Sequence, residues 1–156
     1  MIDTASTPAR SGLRSEAALS TLWRGAALTA IAAVLFPRLN AVLHEGQAFW
    51  QLDTEAAILI PVIVAVTLAL FASLGRWAWH GTRTADIALG SAILSVLGVV
   101  AFWVSAPIVF GGIAVTLGWE ARRRAASEGK AKRALAATIL GGIAVTAGAA
   151  IWLAGV

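Results

Sequence analysis

The stretch Ile87–Trp119, IALGSAILSVLGVVAFWVSAPIVFGGIAVTLGW, contains no charged residue and decides how the chain is read. As one helix its 33 residues would run ~50 Å, well beyond the ~30 Å hydrocarbon core of a bilayer. Ser105-Ala106-Pro107 interrupts it, and a proline there favours turning the chain over bending it. The stretch thus predicts a hairpin: one span over Asp86–Trp103 and a short return over Ile108–Glu120. That return is ~18–20 Å long and calls for local thinning or a semi-buried position. The alternative is a single long span, which gives four spans in all instead of five.

The flanking sequence is of the same kind. A first span is expected over about residues 22–43, kinked at Pro37, with Arg38 and Asn40 near the far surface. It follows Arg10, Arg14 and Arg24, but no small-residue cleavage site follows it cleanly, so it reads as a retained helix and not a signal peptide. A second span is expected over 54–74, with Asp53 or Thr54 as N-cap and Pro61 in its first third. The fifth covers 134–155. Residues 1–20 are expected to form a mobile cytoplasmic tail, and residues 21–156 a single membrane domain.

Charge placement chooses between the two topologies. With five spans and a cytoplasmic N-terminus, the inside carries Arg10, Arg14, Arg24, Arg76, Arg83, Arg122, Arg123, Arg124, Lys130, Lys132 and Arg133, and the outside only Arg38. Four spans divide the same residues five to seven. The positive-inside rule favours five spans, which sets the C-terminus outside the plasma membrane. Tryptophan gives an independent check, because it prefers the membrane–water interface. Trp23, Trp77, Trp79 and Trp119 fall at expected inner ends, and Trp50, Trp103 and Trp152 at outer ends.

Composition agrees with this class. The chain has 156 residues, 59% hydrophobic and 13% charged, with no cysteine and a mean hydropathy of +0.82. Soluble domains are about 45–50% apolar and about a quarter charged. The absence of cysteine excludes disulfides, thiolate zinc sites and palmitoylation. A net charge of +4 invites a nucleic-acid reading, but the basic residues sit between apolar runs, where they fix orientation in the bilayer.

One hexapeptide occurs twice, as Gly111-Gly112-Ile113-Ala114-Val115-Thr116 and Gly141-Gly142-Ile143-Ala144-Val145-Thr146. Shared Gly/Ala/Val-rich composition explains it, or the copies are matched packing surfaces. Either way, small residues line up at helical spacing. Ala134, Ala137, Gly141, Ala144 and Gly148 make one stripe, Gly111, Ala114 and Gly118 a second, and Ala88, Ser91, Ser95 and Gly98 a third. Small stripes let backbones approach closely in lipid, where apolar bulk gives no drive to associate. The last three spans are expected to form a close-packed unit.

The search for chemistry returns little. No ionisable side chain is expected mid-span, where proton relays and coupled transporters place them. His44, Glu45, Asp53 and Glu55 are metal-capable but match no closed site, so no metal or cofactor is expected. His80 reads as an interfacial loop residue. No nucleophile elbow, P-loop or H-E-x-x-H motif is present. The loop Glu120–Arg133, with Arg122, Arg123, Arg124, Lys130, Lys132 and Arg133, anchors topology or contacts anionic headgroups or an acidic partner.

The order from Ile87 onward is an apolar helix, a proline break, a Gly-rich short helix ending in GGIAVTLGWEARRR, and then KAKRALAATILGGIAVTAG. This resembles small uncharacterised integral membrane proteins of high-GC Gram-positive (actinobacterial) bacteria, over roughly the last 45% of the chain. The resemblance implies a membrane location and no assigned activity. The expectation is an all-α polytopic bundle of five spans without catalytic function, packing with itself or with other membrane subunits. A small oligomeric transporter or channel, lined by Ser91, Ser95 and Thr116, is the alternative. A lipid-acting enzyme would need the His44/Glu45/Asp53 cluster.

Overall fold

The stretch 87–119 breaks at its proline. In the computed structural model, which describes residues 9–51, 54–80, 83–99, 105–125 and 127–155, five helices follow one another. They are α1 (Ala9–Glu45), α2 (Thr54–His80), α3 (Thr84–Leu97), α4 (Ala106–Arg123) and α5 (Glu128–Ala154). No strand occurs among the described residues.

Local chemistry sets the α3–α4 break. Gly98 caps α3, and glycine is a poor helix former. The helix therefore ends before the expected boundary at Trp103, which lies outside the described residues. Ser105 holds the left-handed conformation at φ 56°, unusual for a residue with a side chain. Pro107 occupies the first turn of α4, where its missing N–H costs nothing. The Ser95 hydroxyl then donates to the Pro107 carbonyl at 2.7 Å and closes the hairpin.

The other end of the expected domain also moves. Helix α1 begins at Ala9, well inside the segment expected as a polar tail, because Ala17, Ala18 and Leu19 continue a run of good helix formers toward the first span. It continues through Pro37 to Glu45. A proline at position 37 removes the N–H that the carbonyl of Ala33, four residues back, would accept. That carbonyl receives the Ser105 hydroxyl instead, at 3.3 Å.

Pairwise contacts give the helix directions. Gly75 lies against Leu22, so α2 runs antiparallel to α1. Arg133 pairs with Asp86 near the starts of α5 and α3. Asn40 Nδ2 donates to the Trp152 carbonyl near the ends of α1 and α5. The chain thus passes back and forth. The most extensive packing is of α4 on α5 and then on α3, while α2 leans mainly on α1.

The seams are made of alanine: Ala26, Ala33, Ala88, Ala92, Ala114 and Ala137 are buried, with Phe71, Ile108, Ile113 and Leu117. Large apolar side chains point outward, among them Leu28, Ile31, Ile58, Val62, Val66, Ile93, Ile139 and Ile143. Such an apolar exterior is compatible with a membrane location. Three helical segments, Glu16–Glu45, Thr54–Ala78 and Glu128–Ala154, are long and apolar enough to cross a bilayer. Helix α3 is apolar but only 14 residues long, and α4 ends in Glu120, Arg122 and Arg123. Length and composition alone therefore qualify three of the five helices as spans.

Candidate functional site

The small-residue stripes meet one another. A Cβ on Gly111 would stand 2.8 Å from the Gly141 carbonyl oxygen, and one on Gly141 would stand 2.8 Å from the Gly111 carbonyl oxygen. The first glycines of the two hexapeptides thus face each other across the α4–α5 crossing, with Ala114 beside them. Toward one end, Gly118 lies against Ala134 and Thr138; toward the other, Gly148 lies against Pro107 and Ile108. Ala134, Ala137, Gly141, Ala144 and Gly148 are all buried. From α3, Ala88, Ser91 and Ser95 are buried, and Gly98 is half-buried against Ala106. The Ser95 hydroxyl reaches within 3.0 Å of the Gly111 Cβ position.

The second glycines differ. Gly112 is covered by the Thr29 side chain of α1, and in return Thr116 covers Gly25. Each helix offers a glycine and, four residues later, a threonine, and the two sets interlock antiparallel. Thr116 Oγ1 also donates back to the Gly112 carbonyl at 2.8 Å. On α5 the equivalent position, Gly142, has nothing within 4 Å, and Thr146 is exposed. Gly25 was not among the packing residues expected, and its pairing with the hexapeptide's Gly112 and Thr116 through Thr29 was not foreseen; the Gly-x-x-x-Thr spacing at 25–29 and 112–116 was the signal.

The basic residues gather at the end of the bundle formed by the starts of α3 and α5 and the end of α4. Arg124 Nε donates to Glu120 at 2.8 Å, Lys132 pairs with Glu128 at 2.8 Å and Arg133 with Asp86 at 3.0 Å. Arg122, Arg123 and Lys130 are exposed and have no ion pair among the described residues. Arginines in the last turn of α4 and Glu128 in the first turn of α5 also suit the helix dipoles.

Trp23, Trp77 and Trp119 are exposed toward this basic end. Trp79 falls in the last turn of α2. Trp50 is 84% exposed at the opposite end, where Trp152 is half-buried.

At that opposite end the expected surface arginine is enclosed. Arg38 is 7% exposed. Its guanidinium donates to Gln47 Oε1 at 3.3 Å and to the carbonyls of Ala48, Phe49 and Gln51 at 3.0, 2.8 and 2.7 Å. It thereby folds the loop after α1 back over the bundle. Of the expected acidic cluster, Glu45 accepts from Gln47 Nε2 at 2.9 Å, Glu55 is exposed in the first turn of α2, and His44 lies beside Asn40 and Gly155. Asp53 lies outside the described residues. No three His, Cys, Asp or Glu side chains converge on a metal-sized site among the described residues. Comparison of the chain with protein families, curated proteins and solved structures finds no match.

Proposed function

We propose that this chain is a non-catalytic integral membrane protein that works by packing, as an accessory subunit of a larger membrane complex or as a homo-oligomer. The supporting observation is the contrast between its two parts. Helices α3, α4 and α5 are locked backbone to backbone, whereas α2 leans on α1 and leaves Ile58, Leu59, Val62 and Val66 uncovered. A rigid unit carrying one lightly attached spanning helix suits attachment to other membrane helices.

In this reading all five helices lie in the plasma membrane, with the N-terminus cytoplasmic and the C-terminus outside. The back-and-forth course of the chain supports it, as does the collection of the basic loop at one end. Helix α4 is enclosed by α1, α3 and α5, so it does not need the ~20 lipid-facing apolar residues of an isolated span. The basic loop then faces anionic headgroups, each free Lys or Arg adding about 1 kcal/mol. The transporter reading is less favoured, because Ser95 and Thr116 direct their hydroxyls at carbonyls inside the packing.

Mild-detergent purification from the native membrane, with native mass determination, tests this. A stoichiometric partner or a defined homo-oligomer is expected, and a stable lone monomer refutes it. Reporter fusions at both termini test the topology separately.

A further inference from the structure

Arg38 carries a charge that no described residue neutralises. Each of its acceptors is a neutral oxygen, its Nε lacks any partner, and no carboxylate lies within ion-pair distance among the described residues. Enclosing a cation whose acceptors among the described residues are all neutral carries a desolvation penalty, which an anion beside it would offset.

The side chain lines a cleft of about 310 Å³ between α1 and α2, near the end of the bundle that carries Glu45 and Glu55. Those two carboxylates line the same cleft without ion-pairing to Arg38. Val34, Leu59 and Ile63 form its apolar part. From Glu55 down α2 to Ile63 the lining extends over ~12 Å. The cleft therefore brings two carboxylates, a guanidinium and hydrocarbon together.

We propose that this cleft binds a phosphate bearing a nearby ammonium group, presented by an aminophospholipid whose acyl chain lies between α1 and α2. Arg38 takes the phosphodiester by charge and through the N–H groups of Nε and Nη1 that its loop acceptors leave free, because Nη2 is occupied by three carbonyls. Glu45 and Glu55 take the ammonium, and Val34, Leu59 and Ile63 cover the start of the chain. Phosphatidylcholine supplies the phosphate but no N–H donor. Phosphatidylglycerol supplies no cation for the two carboxylates.

The test is native mass spectrometry of the full chain, delipidated and then offered equimolar phosphatidylethanolamine, phosphatidylcholine and phosphatidylglycerol. One phosphatidylethanolamine per chain is expected, preferred about tenfold over phosphatidylcholine. Arg38→Met is expected to lose that lipid. The double variant Glu45→Gln/Glu55→Gln is expected to keep a lipid but retain all three alike. Equal retention of the three lipids by the unaltered chain overturns the proposal, and so does an unchanged preference in the double variant. The double variant alters only exposed side chains, so it decides the question even if Arg38→Met does not fold. A parallel thermal-shift arm uses soluble phosphoethanolamine. A shift as large as the lipid's refutes a membrane source for the group.

Discussion

Adding one methyl group to each of two adjacent glycines on α5 should have clearly different effects. At Gly141 the new Cβ would stand 2.8 Å from the Gly111 carbonyl oxygen, 2.8 Å from Ala114 Cβ and 3.2 Å from the Val115 amide nitrogen. Ordinary carbon–oxygen approaches between helices are about 3.3–3.6 Å. None of these three atoms can rotate away, so α4 and α5 must separate by ~0.5 Å. A gap of that size forfeits about a quarter to a half of each dispersion contact it opens.

Overpacking of this kind costs about 1–3 kcal/mol. Gly→Ala also adds about 1 kcal/mol of helix propensity. Gly141→Ala should therefore be neutral to about 2 kcal/mol destabilising. At Gly142 no heavy atom lies within 4 Å, so only the propensity gain applies. Subtracting one variant from the other cancels propensity and leaves the overpacking cost alone, about 1–3 kcal/mol. Reversible unfolding by SDS in mixed micelles, read by tryptophan fluorescence, measures both. A Gly141→Ala protein as stable as Gly142→Ala would refute the α4–α5 crossing.

Three further perturbations probe other contacts. Ser105→Ala should destabilise by about 1–3 kcal/mol, because it strands the Ala33 carbonyl that Pro37 leaves free. The same change in a Pro37→Ala background, which restores the N–H donor, should cost about 1 kcal/mol less in the same unfolding assay. Gly112→Ala should destabilise by driving a Cβ into Thr29, and Thr29→Ala should recover about 1 kcal/mol of the loss; strict additivity would exclude the interlock. Arg133→Ala removes only an exposed pair with Asp86, so its unfolding midpoint should fall by less than about 1 kcal/mol equivalent.

The residues that act through spacing were legible in the sequence. Pro107 marks the turn because proline needs no N–H partner at a helix start, and the 3-4-3-4 stripes identify the seams because helical geometry repeats on that interval. Boundaries were less legible. The helix formers before Leu22 extend α1 outward to Ala9, and Gly98 stops α3 although the apolar run continues. Arg38 was unreadable in kind as well as position. As a sequence it is a charge near a helix end, and only the loop carbonyls of Ala48, Phe49 and Gln51 folding over it make it a buried cation.

The twin hexapeptides show why local sequence cannot settle such questions. Adjacent residues on a helix point about 100° apart, so a Gly-Gly pair can face two neighbours at once. In α4 both faces are used, Gly111 against α5 and Gly112 against α1. In α5 the same six residues use only Gly141, and Gly142 lies open. Nothing within the hexapeptide distinguishes the two; position in the bundle does. Helix α4 lies between α1, α3 and α5 and needs a glycine for more than one of them, whereas α5 sits at the margin. The central helix is one of the two that length and apolarity would not select as a span. Its enclosure also accounts for the left-handed Ser105 at its start. Its backbone strain, about 1–2 kcal/mol, is tolerated because the hydroxyl it positions satisfies the carbonyl that Pro37 releases in α1.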